Sequence, residues 1–264
     1  MPLKDSEAVV LRSYPLREAD LLVTFFTRAE GKVRGVARSA KKSKRRFGGA
    51  LEPLTCVKLY YEDRERQDLA RIDSCEILES PLTSAVDYPR AVALGHIAEL
   101  LDELLPDREA NDAIFRLTVS VLRSLRAGAI WMPLTYFEVW LARLVGFLPE
   151  LGECVVCGAA LNPPHRAKNG RGGDPGLKEV PKAYYHALVD GLMCQNDKRL
   201  ASSEITPESR ALAAEMFRSP VETMALQVWP KSKAGDLRKF VIQILERHLE
   251  KKLVTATMLE KLSN

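Results

Sequence analysis

The feature that most limits how this chain can fold is a change of hydrophobic period near residue 80. Before that point apolar residues come in runs of strand length, at 9–14, 20–27, 32–38, 54–61 and 69–78. Val57, Leu59 and Tyr61 alternate with Lys58 and Tyr60, the period of a sheet with one buried face. Glu30-Gly31 marks a tight turn between the second and third runs. Five short strands in about 75 residues predict a small closed barrel, and the five-stranded OB barrel has this size. Ser80-Pro81 ends the pattern.

After it the period becomes helical. Ala93, Ile97, Leu100, Leu101 and Leu104 form one stripe, closed by Pro106. Ile114, Leu117, Val121, Leu122 and Leu125 form a second, and Leu134, Phe137, Leu141, Leu144 and Val145 a third. His96, beside the first stripe, reads as a satisfied histidine, because no partner nearby would give it a chemical role. Residues 158–183 lose all periodicity, carry Pro163, Pro164, Pro175 and Pro181, and read as a long mobile excursion. Helical patterning resumes at Thr206-Pro207-Glu208 and in 236–251, where Asp236 is placed to cap. The expectation is an α+β chain: a barrel at 1–80, a first helical part at 81–150, a cysteine-bearing insertion at 151–200 and a second helical part at 201–264.

Charge is concentrated in one place. Arg28 to Arg46 holds nine Lys or Arg residues against Glu30 alone, +8 in a chain whose total is +4, so the remainder is −4. So local a positive field attracts polyanions, and it falls on the third strand and the connection to the fourth. A solvated loop kept soluble by its charge is the plainer alternative. Tyr60 and Tyr61 are the aromatic candidates for stacking bases, with core packing the competing role. Like charges so closely spaced predict a loop that nucleic acid would order.

The five cysteines include Cys154-Val-Val-Cys157 followed by Gly158, one half of a zinc knuckle. Asp190-Gly191-Leu192-Met193-Cys194 supplies one more thiol, but the position of a fourth cysteine is Asp197. Asp197, His186 and His165 are the candidates for the fourth ligand of one structural zinc, His186 by the more ordinary chemistry. Cys56 and Cys75 fall inside strands and read as core. No nucleotide-binding loop, nucleophile–base pair or carboxylate dyad is present, and His96, His165, His186 and His248 are the only histidines. That argues against an enzyme, and a zinc hydrolase lacks its HExxH or HxE motif. No apolar run reaches membrane-span length and the N-terminus lacks a signal core, so the expected location is the cytoplasm.

Four segments carry a family resemblance: the opening EAVVLRSYPLREADLLVTFFTRAEGKVRGVARSAKKSKRRFGGALEP, LPELGECVVCG, DGLMC and the closing RKFVIQILERHLEKKL. In this order, across nearly the whole chain, they resemble the bacterial RecO family of DNA repair and recombination mediators. The resemblance implies an OB-type domain, a helical domain with a zinc-ribbon-like insertion, and no nucleotide hydrolysis. It implies binding of single- and double-stranded DNA, strand annealing, and partnership with RecR and the tail of single-stranded DNA-binding protein in loading RecA. DNA contact would fall on Arg34, Arg38, Lys41, Lys42, Lys44, Arg45 and Arg46, and metal binding on Cys154, Cys157 and Cys194. Asp197 departs from the four-cysteine form. The competing reading is an RNA-binding or ribosome-associated barrel-plus-ribbon module, which charge does not separate from the first.

Overall fold

The computed structural model describes residues 2–63, 68–81, 86–161, 181–227, 229–230 and 232–263. Five strands, β1 (Lys4–Pro15), β2 (Leu21–Thr27), β3 (Gly31–Ala37), β4 (Cys56–Glu62) and β5 (Ala70–Glu79), close into a barrel in the order β1-β2-β3-β5-β4. Every pairing is antiparallel except β3 with β5, where Val36 lies opposite Arg71. Val10, Val23, Phe25, Val33, Val57, Leu59, Tyr61 and Ile72 fill the interior. Tyr61 is 1% exposed and belongs to that core.

The apolar runs in β1 and β2 do not alternate, for a reason the structure makes plain. A bulge between Val10 and Arg12 adds a residue to β1, and both Val10 and Leu11 are buried. Phe26, next to interior Phe25, is buried on the outer face, its ring edge-on to Phe115 at 5.6 Å. These strands are covered on both sides, so both sets of side chains are apolar. Gly31 opens β3 with φ +71°, and a Cβ there would fall 1.9 Å from the Glu109 carbonyl oxygen.

The covering helices begin with side-chain caps. Asp87 accepts from the Arg90 N–H at the start of α1 (Tyr88–Leu104), and Asn111 accepts from the Ile114 N–H at the start of α2 (Asp112–Arg126). Next come α3 (Trp131–Leu144), the short strands β6 (Ala183–Tyr185) and β7 (Ser203–Ile205), α4 (Pro207–Met216), α5 (Val221–Met224), α6 (Gly235–Leu249) and α7 (Val254–Ser263). The chain divides into two compact units, 1–137 with 253–264 and 138–252.

In the first unit, buried Glu99 of α1 accepts from the Val254 and Thr255 N–H groups, both at 2.9 Å, and so caps α7. Thr255 Oγ1 also donates to Glu99, which leaves that hydroxyl free to accept from His96 Nδ1–H at 2.7 Å. His96 is thus buried and hydrogen-bonded through Nδ1 to the residue that Glu99 caps.

In the second unit, Asp236 does not have the local role its position suggested. Ala234 is the N-cap of α6, and the Asp236 carboxylate accepts from Thr206 N, Thr206 Oγ1 and Ser209 Oγ at the start of α4. The excursion expected at 158–183 is described only at its two ends. Leu161 is fully buried and Ala183 begins β6, while 162–180, with His165, lie outside the described residues. Buried Arg210 donates to the Leu161 and Pro181 carbonyls, pinning both ends of that stretch to α4.

Candidate nucleic-acid interface and metal centre

The nine cations between Arg28 and Arg46 fall into two groups. Arg28 pairs with Glu7 and Asp112, and buried Lys32 donates to the Asp102 carbonyl with Asp107 3.4 Å away. Arg34 is half-exposed with Asp107 at 3.7 Å. Arg46 donates to Arg38 O at 2.8 Å and to Ser43 Oγ at 3.2 Å, reaches toward Asp73 O at 3.5 Å, and lies over the Phe47 ring. Its own carbonyl accepts from Cys75 N–H. Arg46 therefore braces the connection from within. Among the described residues, no hydrogen bond or ion pair engages the side-chain cations of Arg38, Lys41, Lys42, Lys44 or Arg45. Those five stand in water.

The connection that carries them is a series of turns. Lys42 and Ser43 N–H groups both donate to Ser39 O, Phe47 N–H donates to Ser43 O, and the Phe47 ring is buried in the barrel core. Gly48 sits at φ +23° with the Lys44 carbonyl 2.5 Å from where a Cβ would be, so the turn requires glycine. A charge run this dense suggested a segment without fixed shape, but Phe47 and Arg46 give it an anchor at one end.

Two arginines that charge-counting passed over join this surface. Arg17, in the β1–β2 turn, and Arg71, on β5, line a cleft of about 170 Å³ with Arg38 above Leu16, Val36 and Leu69. Glu62 holds Arg71 at 3.3 Å. The cleft lies between the β1–β2 and β4–β5 connections, where OB barrels take oligonucleotides. Its sequence signal was weak, since Arg17 and Arg71 are single cations distant in the chain. Asp63, next in sequence to Glu62, accepts from Arg108 and Lys4. Burial pulls the Asp63 carboxyl up, but these donors outweigh it and hold it below its ordinary range.

The cysteine site is assembled from two turns in the second unit. Glu153 and Ala160 bridge around the first, with Gly158 N–H donating to Cys154 O; Tyr184 and Met193 bridge beside the second, with Asp197 N–H donating to Cys194 O. Val155 N–H to Leu192 O, and Cys194 N–H to Cys154 Sγ at 3.3 Å, tie the turns together. The ligand atoms of Cys154, Cys157, Cys194 and Asp197 all lie within 4.8 Å of one another. Asp197 is thus the fourth member; His186 is turned elsewhere, its Nδ1 accepting from Leu188 N–H.

The donor set and spacing fit a tetrahedral ion. Metal–sulfur bonds of about 2.3 Å put two thiolates about 3.8 Å apart at a tetrahedron's corners. Cys157 and Cys194 Sγ are 3.8 Å apart, and Asp197 Oδ2 is 3.2 Å from Cys154 Sγ and 3.1 Å from Cys194 Sγ. The crowding shifts the thiols. The hydrogen bond to Asp197 is the main cause that pushes Cys157 up to about 12. Burial pushes Cys154 up, but backbone N–H groups led by Cys157 outweigh it and leave its thiol below the ordinary value. Four acids this close cannot all ionise unless a cation sits among them. Cys56 and Cys75, by contrast, are lifted by burial to about 11 and about 12, as unreactive core thiols are.

A closed five-stranded barrel bearing unpartnered cations, helices, and a thiol-rich site that can hold a metal ion define an OB-type protein with a ribbon-like module. Sequence comparison gives the family. The model for recombination protein O N terminal matches residues 1–81, and that for recombination protein O C terminal matches 85–256. The chain is 63% identical over 260 residues to the DNA repair protein RecO of Koribacter versatilis (strain Ellin345), covering 98% of this chain and 99% of that one. It is 32% identical over 256 residues to the DNA repair protein RecO of Anaeromyxobacter sp. (strain Fw109-5), covering 96% and 94%. The chain belongs to the RecO family of DNA repair proteins. Among the described residues no helix is long and apolar enough to cross a membrane.

Proposed function

We propose that this chain is a non-enzymatic recombination mediator that binds single- and double-stranded DNA and anneals complementary strands. With RecR it helps load RecA onto DNA coated by single-stranded DNA-binding protein, whose C-terminal tail it contacts. The expected setting is the cytoplasm, at the nucleoid. The observation that carries the reading is the group of five unengaged cations, Arg38, Lys41, Lys42, Lys44 and Arg45, on a closed barrel in a chain of this family.

The mechanism follows from electrostatics. Exposed cations displace the counterions condensed on phosphate, giving affinity without sequence preference. Two strands held on one positive surface lose part of their mutual repulsion and meet at higher local concentration. Arg34 adds to the field at reduced strength, because Asp107 stands beside it. Arg46 acts on DNA only through the shape it gives the connection. Cys154, Cys157, Cys194 and Asp197 would hold one structural zinc that joins the two turns; it supplies cross-linking and no reaction step.

The test is annealing of complementary strands coated with single-stranded DNA-binding protein, with and without RecR. The reading expects acceleration by the chain, further changed by RecR, and loss of acceleration when Lys41, Lys42, Lys44 and Arg45 become Ala. Equal annealing by wild type and variant would refute it.

A further inference from the structure

The basic connection borders two hollows, and only one is the cleft of Arg17, Arg38 and Arg71. The other is a larger groove of about 800 Å³ at the mouth of the barrel, rimmed by Lys41, Ser43 and Lys44 and floored by Leu21, Phe47 and Leu51. Strand register puts the two on opposite faces of the sheet. Val36 lines the cleft, while Leu21, paired with Pro15 on β1 and with Ala37 on β3, turns toward the core side. The groove floor is continuous with the core: Phe47 and Leu51 are buried, and Leu21 and Ala40 pack against them with part of their surface in water.

This combination selects a ligand. Lys41 and Lys44 are exposed point charges that no other described residue engages, suited to phosphates. The floor is apolar, suited to the face of an unstacked base or a sugar edge, which a duplex keeps inside its stack. One acid, Glu52, is among the lining residues. Resting on the DNA-binding reading above, we propose that this groove is a second single-strand site, separate from the arginine cleft, so that one chain holds two strands at once across the ridge of 38–46. The ridge then works as a divider whose two flanks grip different strands.

The test uses the full chain and a labelled thymidine oligomer of about six nucleotides, short enough to fill one groove of an OB-type barrel. Stoichiometry is read by calorimetry and affinity by anisotropy at low salt. Two equivalents are expected for wild type. Lys41→Ala with Lys44→Ala removes one and leaves the other within about threefold; Arg17→Ala with Arg38→Ala removes the other. Glu52→Gln tightens only the equivalent that the lysine pair removes. All these side chains are exposed, so melting temperature serves as the folding control. A single equivalent weakened by both pairs alike overturns the second site and leaves DNA binding standing. Absence of any binding by wild type removes the DNA-binding reading and the groove together.

Discussion

Two regions of this molecule crowd like charge, and they do so on opposite terms. The 38–46 connection collects cations but spreads them outward, each in water, with only Arg46 turned inward as a brace. The cysteine site collects acids and packs their ligand atoms within 4.8 Å, Cys154 being buried. In water, cations a side chain apart repel weakly and salt screens them. Packed thiols and a carboxylate are not relieved that way; they must keep protons or share an ion. The first region therefore suits a long, exchangeable, sequence-blind polyanion, and the second suits one cation, held stoichiometrically.

The largest effect that would sharpen this contrast is at the cysteines. Apparent binding energies of structural zinc sites are roughly 10–16 kcal/mol near neutral pH, so an ion held by these four residues would be part of the fold. The protein is expected to carry about one zinc per chain, and Cys154→Ser to abolish it, with loss of melting cooperativity for residues 138–252. A chromophoric chelator gives the occupancy and calorimetry gives the melt. Asp197→Cys should hold zinc at least tenfold tighter and Asp197→Ala more loosely. If purified protein holds no zinc and melts identically with and without chelator, the acids are merely sharing protons and the contrast collapses.

A smaller effect tests the division of the basic connection into grips and a brace. Replacing Lys41, Lys42, Lys44 and Arg45 with Ala should lower the salt slope of single-strand binding by about 3, at about 0.7 per phosphate, without moving the melting temperature. Arg46→Ala should do the reverse. Losing its hydrogen bonds costs about 1–3 kcal/mol, a few degrees of melting temperature, while the slope changes by less than about 1. Salt titrations of the two variants, with thermal melts, decide it. If Arg46→Ala flattens the slope like a lysine and leaves the melt unchanged, Arg46 is a grip.

What the sequence disclosed and what it hid follow one rule. Period and punctuation are local, so the five strands, the helix at Thr206-Pro207 and the change at Ser80-Pro81 were legible. Partners chosen across the fold were not. Arg46 is indistinguishable in sequence from Arg45, and only the turn at Phe47 aims it inward. Asp236 has the local pattern of a cap, yet Thr206 and Ser209, near in space only, claim its carboxylate. Asp197 lay at the position of the missing cysteine while ligand chemistry favoured His186; the fold brings Asp197 into the cluster and turns His186 toward Leu188. The break between α6 and α7 rests on Glu250 at φ +51°, a conformation that no residue type there announced.

Glu99 offers the smallest and most specific test, because it is an anion that the fold satisfies with its own donors. Burial raises its carboxyl, but Thr255 Oγ1–H and the Thr255 and Val254 N–H groups outweigh burial and hold it below the ordinary value. A folded carboxyl pKa below the unfolded one stabilises the protein above the unfolded pKa, about 4.3 for Glu. That stabilisation is lost as pH falls through the folded value. Glu99→Gln keeps one acceptor and loses the charge, so it should cost about 1–2 kcal/mol at pH 7, with the difference from wild type closing below about pH 4. Urea unfolding across pH measures both. A deficit in Glu99→Gln that persists unchanged into acid would mean the cap acts by shape alone. One that closes would place Glu99 between the two crowded regions: a buried charge whose counter-dipoles are built in, needing neither phosphate nor metal.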